Sequence, residues 1–127
     1  MNLFRKEKDN RSLAEIHFDH LKALAAEIER DFDRLRAAQS EVDRELSDQY
    51  HEIEKGKFDV VRGYYLAKGL QDILQRRRTI KGELCRLGSL KDSLGLDRVG
   101  ERLQRKIKQD ERLRQQLNSS LRLSDII

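Results

Sequence analysis

The sequence predicts an all-α protein: a long antiparallel, coiled-coil-like helical hairpin with a shorter third helix folding back at one end. Three observations carry that prediction. Apolar residues recur at spacings of three and four through most of the chain, as in helices that each bury a single stripe. Proline is absent from all 127 residues, so nothing obliges a helix to break. Charged residues make up 39% and aromatics 6%, enough apolar surface for narrow helical seams but not for a thick globular core. A length of 127 residues fits one helical domain spanning the whole chain.

Met1 to Arg11 is a mixed-charge lead whose apolar pair, Leu3 and Phe4, is too short to anchor it, and it is expected to fray. Ser12 followed by Glu15 is a capping box, in which serine and glutamate each satisfy an orphan backbone donor. The first helix therefore covers about residues 12–55, roughly 66 Å at 1.5 Å per residue. Its core rows are Ala14, Leu21, Ile28, Leu35, Val42 and Gln49, then Phe18, Ala25, Phe32, Gln39, Leu46 and Ile53. Leu13, Ile16, Ala23, Leu24 and Ala26 widen the stripe in the first half, which predicts a second neighbouring helix there. Beyond Leu35 the stripe narrows to what one partner covers.

Gly56 ends this helix and Asp59 caps the next, leaving Lys57 and Phe58 as the turn. So short a connection forces antiparallel neighbours. The second helix, residues 60–94, carries one row of Leu66, Ile73, Ile80, Leu87 and Leu94. Its other row, Gly63, Leu70, Arg77, Leu84 and Lys91, is less clean. Arg77 stands where a coiled coil wants an aliphatic side chain. Pairing about the turn puts it near Gln39, and two outcomes are open: a polar layer with that amide, or a guanidinium reaching solvent. Gly88-Ser89 marks a candidate break, and Leu94-Gly95-Leu96 a left-handed helix stop. Asp97 is the expected cap of a third helix, residues 97–117, using Val99, Leu103, Ile107, Leu113 and Leu117. Asn118-Ser119-Ser120 terminates it, and the tail LRLSDII is apolar enough to dock back or to bind elsewhere.

Residues 56–84 read GKFDVVRGYYLAKGLQDILQRRRTIKGEL. The Phe-Asp turn, the Gly-Tyr pair, the Leu-Gln step and the Arg-Arg-Arg-x-Ile-Lys segment resemble small hypothetical proteins of phages and prophages of Gram-positive bacteria. The resemblance implies a phage accessory or early protein. It supplies no activity and no catalytic residues.

The net charge of +4 is unevenly spread: residues 12–56 carry −6 and residues 57–127 carry +8. An acidic first helix beside a basic second one neutralises much of this internally. The remaining basic patch comprises Arg76, Arg77, Arg78 and Lys81 on the second helix and Arg98, Arg102, Arg105 and Arg112 on the third. Arg98, Arg102, Arg105 and Arg112 share one helical face that would meet phosphates, so nucleic acid is a candidate partner. Phe58, Tyr64, Tyr65 and Leu74 gather near the hairpin tip, more apolar surface than one partner helix covers. They form the candidate partner-binding surface, for another protein or for a second copy in a homo-oligomer.

No catalytic motif is present, and the carboxylates alternate with lysines and arginines as on a solvated helix face, so a non-enzyme without cofactor or small-molecule substrate is expected. His17 and His20, with Asp48 and His51, approach metal-ligand spacing without completing a set, and surface histidines are the expected reading. The single cysteine, Cys85, excludes an internal disulfide and is expected to pack as a small side chain. No stretch has the roughly twenty apolar residues of a membrane span. A cytoplasmic protein–protein interaction protein is the expectation, a phage accessory protein inhibiting or adapting a host factor. A nucleic-acid-binding accessory protein is the alternative.

Overall fold

A computed structural model describes residues 11–127; the rest of the N-terminal lead, with Leu3 and Phe4, lies outside the described residues. The described chain is all-helical and contains no strand. Helix α1 is Leu13–Lys55, α2 is Val60–Leu94 and α3 is Leu96–Gln116, followed by a 3-10 turn at Leu123–Asp125. The contacts divide into two compact units. One comprises the chain up to Ala25 with Gly95–Ile127, and the other is Ala26–Leu94.

In the second unit, α1 and α2 form a hairpin-like pair. Gly56 N–H donates to Glu52 O at 2.9 Å, and Asp59 Oδ1 accepts from the Arg62 backbone N–H at 2.8 Å, capping α2. The seam is centred on Ile28, Val42 and Ile73, the buried core residues. All ten row positions of α2, from Gly63 to Leu94, are at least half-buried. Charge follows the seam. Lys91 Nζ lies 2.7 Å from Glu29 Oε2, Arg77 Nε donates to Asp43 Oδ1 at 2.8 Å, and Arg62 pairs with Glu52. These partners descend along α1 as they ascend along α2.

Two expectations on this seam change. Arg77 does not make a layer with Gln39: its guanidinium takes the carboxylate of Asp43, one turn further on, because a charged acceptor at the seam margin outcompetes an amide. The polar device in the seam is Gln49, whose Nε2 donates to Leu66 O at 2.8 Å across the helix pair. A Cβ on Gly69 would sit 3.1 Å from that Nε2, so the glycine makes room for the amide. The break expected at Gly88-Ser89 is also absent. Helix α2 runs through it, and Gly88 gives Phe32 a place to pack, with a virtual Cβ 3.4 Å from Phe32 Cε2.

In the first unit, Ser12 caps α1: its Oγ accepts from Ala14 N–H at 3.1 Å while Glu15 Oε1 accepts from Ser12 N–H at 3.4 Å. Gly95 (φ 52°, ψ 40°) occupies the left-handed region, as a glycine there can, and α3 starts at the very next residue. Asp97 is consequently not a cap; it lies inside the first turn, and no side chain caps α3. The α3 seam is Leu96, Gly100, Leu103 and Ile107, all half-buried. Gly100 receives Phe18, whose Cζ would lie only 3.0 Å from an added Cβ. Val99, Leu113 and Leu117 fall out of phase with that seam and are exposed, contrary to the sequence expectation. The six-residue step from Ile107 to Leu113 is what breaks the 3–4 spacing.

Helix α3 ends in a Schellman motif built on asparagine. Asn118 has φ 54°, Ser119 N–H donates to Arg114 O at 2.9 Å, and Asn118 N–H donates to Gln115 O at 3.2 Å. The tail then returns far enough for Leu121 O to accept from Arg114 Nη1 at 2.6 Å, while Ile126 and Ile127 stay exposed. Along the wider stripe at the start of α1, Leu13, Leu21 and Leu24 remain exposed.

Candidate interaction surfaces

Helix α2 carries two stripes. The first, on Ile73, is consumed by α1. The second runs along the flank of that seam, about a third of a turn round the helix, through Val60, Tyr64, Ala67, Gln71, Leu74, Arg78 and Lys81, at spacings of four and three residues. Every one of these is exposed: Val60 at 89%, Tyr64 at 57% and Leu74 at 40%. Half-buried Leu70 floors a shallow depression between Ala67 and Gly82, lined by α2 alone. Of the residues expected from sequence, the structure brings Tyr64 and Leu74 onto this stripe. Tyr65 lies beside it, its ring edge-on to Tyr64 with centroids 5.5 Å apart. Phe58 is placed differently: its ring packs over Gly63, with Cδ2 at 3.3 Å from a virtual Cβ, and seals the start of α2 while remaining partly exposed. Ala67 and Gln71 were not singled out from sequence, although the 60-64-67-71-74-78-81 spacing contains the signal.

The basic residues separate into two classes. Arg76 Nη1 lies 2.8 Å from Glu45 Oε2 of α1, and its Nε donates to Asp72 Oδ2 at 3.0 Å. The approach to Glu45 Oε2 has ion-pair distance without hydrogen-bond alignment, so this oxygen, shielded from solvent, is held by charge rather than by a directed bond. Glu45 and then Asp72 hold the Arg76 guanidinium above its ordinary pKa. With Arg77 on Asp43, two of the three consecutive arginines are spent on the hairpin-like pair. Arg78 and Lys81 make no ion pair among the described residues and stand at the end of the outer α2 stripe.

On α3 the arrangement is the reverse. Arg98, Arg102, Arg105 and Arg112, with Gln109 and Gln116, occupy the face opposite Leu103 and Ile107. All four arginines are exposed, and none forms an ion pair among the described residues. The stripe from Arg98 to Arg112 is about 21 Å long at 1.5 Å per residue. Asp110 lies away from it and pairs with Arg114 at 3.2 Å.

His17 and His20 meet edge-on at 6.2 Å. Among the described residues no group of three or more His, Cys, Asp or Glu side chains is placed to hold a metal ion. Cys85 is exposed rather than packed, because it lies a third of a turn off the Ile73 seam. Among the described residues no helix is long and apolar enough to cross a membrane. No protein-family model matches the chain, and comparisons with curated proteins and with solved structures find no match.

Proposed function

We propose that this chain is a non-enzymatic, cytoplasmic protein–protein interaction protein whose α1–α2 pair is an antiparallel, coiled-coil-like hairpin. A phage accessory protein that inhibits or adapts a host factor would have this character. The observation that carries the reading is the second stripe of α2. Val60, Tyr64 and Leu74 present an apolar ridge at helical spacing after α1 has covered the Ile73 stripe. Tyrosine supplies large contact area with few rotatable bonds, which suits an interface anchor. The test is capture of a protein by the immobilised full chain, repeated with Tyr64→Ala and Leu74→Ala. Loss of capture in both variants supports the reading, and unchanged capture sinks it.

A second reading, nucleic-acid binding, is favoured by one specific observation, the exposed arginine stripe of α3, which forms no ion pair among the described residues. Its test is a titration of duplex DNA at about 50 and 200 mM salt. Several phosphate contacts would weaken binding by orders of magnitude across that range. Absence of binding at the lower salt would sink it.

A further inference from the structure

The outer face of α3 is graded: a central row of arginine and glutamine, with a pair of cations on either side. We propose that α3 lies in the major groove of B-form duplex DNA, its central row turned to base edges and each flanking pair meeting one phosphate strand. The inference rests on the nucleic-acid reading above and names the substrate class.

Position around the helix carries the distinction. At about 100° per residue, Arg98, Arg105, Gln109 and Gln116 fall within about 20° of one line, opposite the seam of Leu103 and Ile107. Arg102 and Lys106 lie about 40° and 80° to one side of that line, and Arg112 and Lys108 lie about 40° and 80° to the other. These side chains are all exposed, and none forms an ion pair among the described residues. Arginine and glutamine are the side chains that pair in two-pronged fashion with guanine and adenine edges in the major groove. Cations on the two flanks face the two strands that border it. A helix about 10–12 Å across fits a groove about 12 Å wide.

Within its unit the fold leaves this face open. Phe18 of α1 packs at Gly100 on the seam side, and the tail returns to Arg114, about 160° from the central line. The half-buried apolar row of α3 is turned to α1, so it is not offered to a lipid surface. Other nucleic acids fit less well. The major groove of A-form RNA is too deep and narrow for side chains to read, and single strands call for aromatic platforms, which the central row lacks. One acid opposes the arrangement. Glu101 lies about 60° from the central line on the Arg112 side, where a phosphate strand would pass, while Asp97 stands further round.

The experiment is a fluorescence-anisotropy titration of the full chain at about 50 and 200 mM salt. Its probes are a DNA duplex of about 20 base pairs, the RNA duplex of the same sequence and the single DNA strand. Four phosphate contacts predict that binding to the DNA duplex falls about a hundredfold across that range. The RNA duplex and the single strand should bind at least tenfold more weakly at the lower salt. Lys106→Gln with Lys108→Gln should lower the log–log salt slope by about 1.8, at a helicity unchanged by circular dichroism. Gln109→Ala should leave the slope alone and narrow the spread of affinities among duplexes of different sequence. Glu101→Gln should tighten binding severalfold. A DNA duplex whose pyrimidines carry bulky C5 groups, which project into the major groove, separates groove placement from charge attraction alone. Binding to it at least tenfold weaker supports the placement. Equal binding to it, or to the RNA duplex, overturns the placement and leaves the wider nucleic-acid reading standing. No binding to any probe at the lower salt overturns both.

Discussion

Two sets of arginines, separated by twenty residues of sequence, meet opposite fates. On α2, Arg76 and Arg77 project towards α1 and are taken up by Glu45 and Asp43. On α3, Arg98, Arg102, Arg105 and Arg112 project away from their seam and meet no carboxylate among the described residues. The residues are chemically the same, and only their phase relative to an apolar stripe differs. A density of basic residues in sequence is thus a poor guide to a basic surface. What decides is the angle each residue makes with the seam and whether an acidic helix lies across it.

The sharpest test of this contrast is a pair of multiple variants. Arg98→Gln, Arg102→Gln, Arg105→Gln and Arg112→Gln combined should remove whatever duplex binding the chain has, by about a hundredfold or more at 50 mM salt. The log–log salt slope should fall by roughly 0.9 for each lost phosphate contact. Arg76→Gln with Arg77→Gln should leave binding nearly unchanged and lower thermal stability instead. Equal losses from both sets, in a fluorescence titration, would erase the distinction.

Stability measurements sharpen the same comparison at smaller scale. Arg77→Leu puts an aliphatic residue on a seam row and removes a partly exposed ion pair with little intrinsic worth, so it should raise stability by about 1 kcal/mol. A lower midpoint in thermal unfolding would show instead that the Asp43 contact governs register. Glycines give a parallel contrast. A Cβ on Gly82 meets only the side chain of Arg86, at 3.6 Å, so Gly82→Ala should stabilise by about 1 kcal/mol through helix propensity. At Gly100 the Phe18 ring stands in the way, and overpacking of about 1–3 kcal/mol should cancel or reverse that gain. The smallest effect belongs to Cys85→Ser. An exposed side chain off the seam should shift stability by less than about 0.5 kcal/mol, as read from a chemical denaturation midpoint.

Much of this was legible in the chain. The rows of α2 could be read position by position because 3–4 spacing has few alternatives over five heptads, and Ser12 and Asp59 announced their caps through side-chain chemistry alone. The misplacements have a common source. Register alone leaves Arg77 either beside Gln39 or in solvent, whereas the long charged side chain reaches a turn away to the carboxylate of Asp43. Val99, Leu113 and Leu117 were given to a seam that in fact passes through Leu96 and Gly100, since a glycine does not advertise itself as a core position. Cys85 was counted as packed because Leu84 and Leu87 flank it in sequence, though not around the helix.

The amino-acid sequence by itself determined the helical character of this protein, the ends of its first two helices and the polarity of its charge, because those depend on period, caps and composition within one segment. The tertiary structure decided which glycines hold aromatic rings, which arginines are spent on α1, and that α2 keeps a second stripe free. Those outcomes depend on the azimuth of one helix against another, a quantity that no single segment encodes.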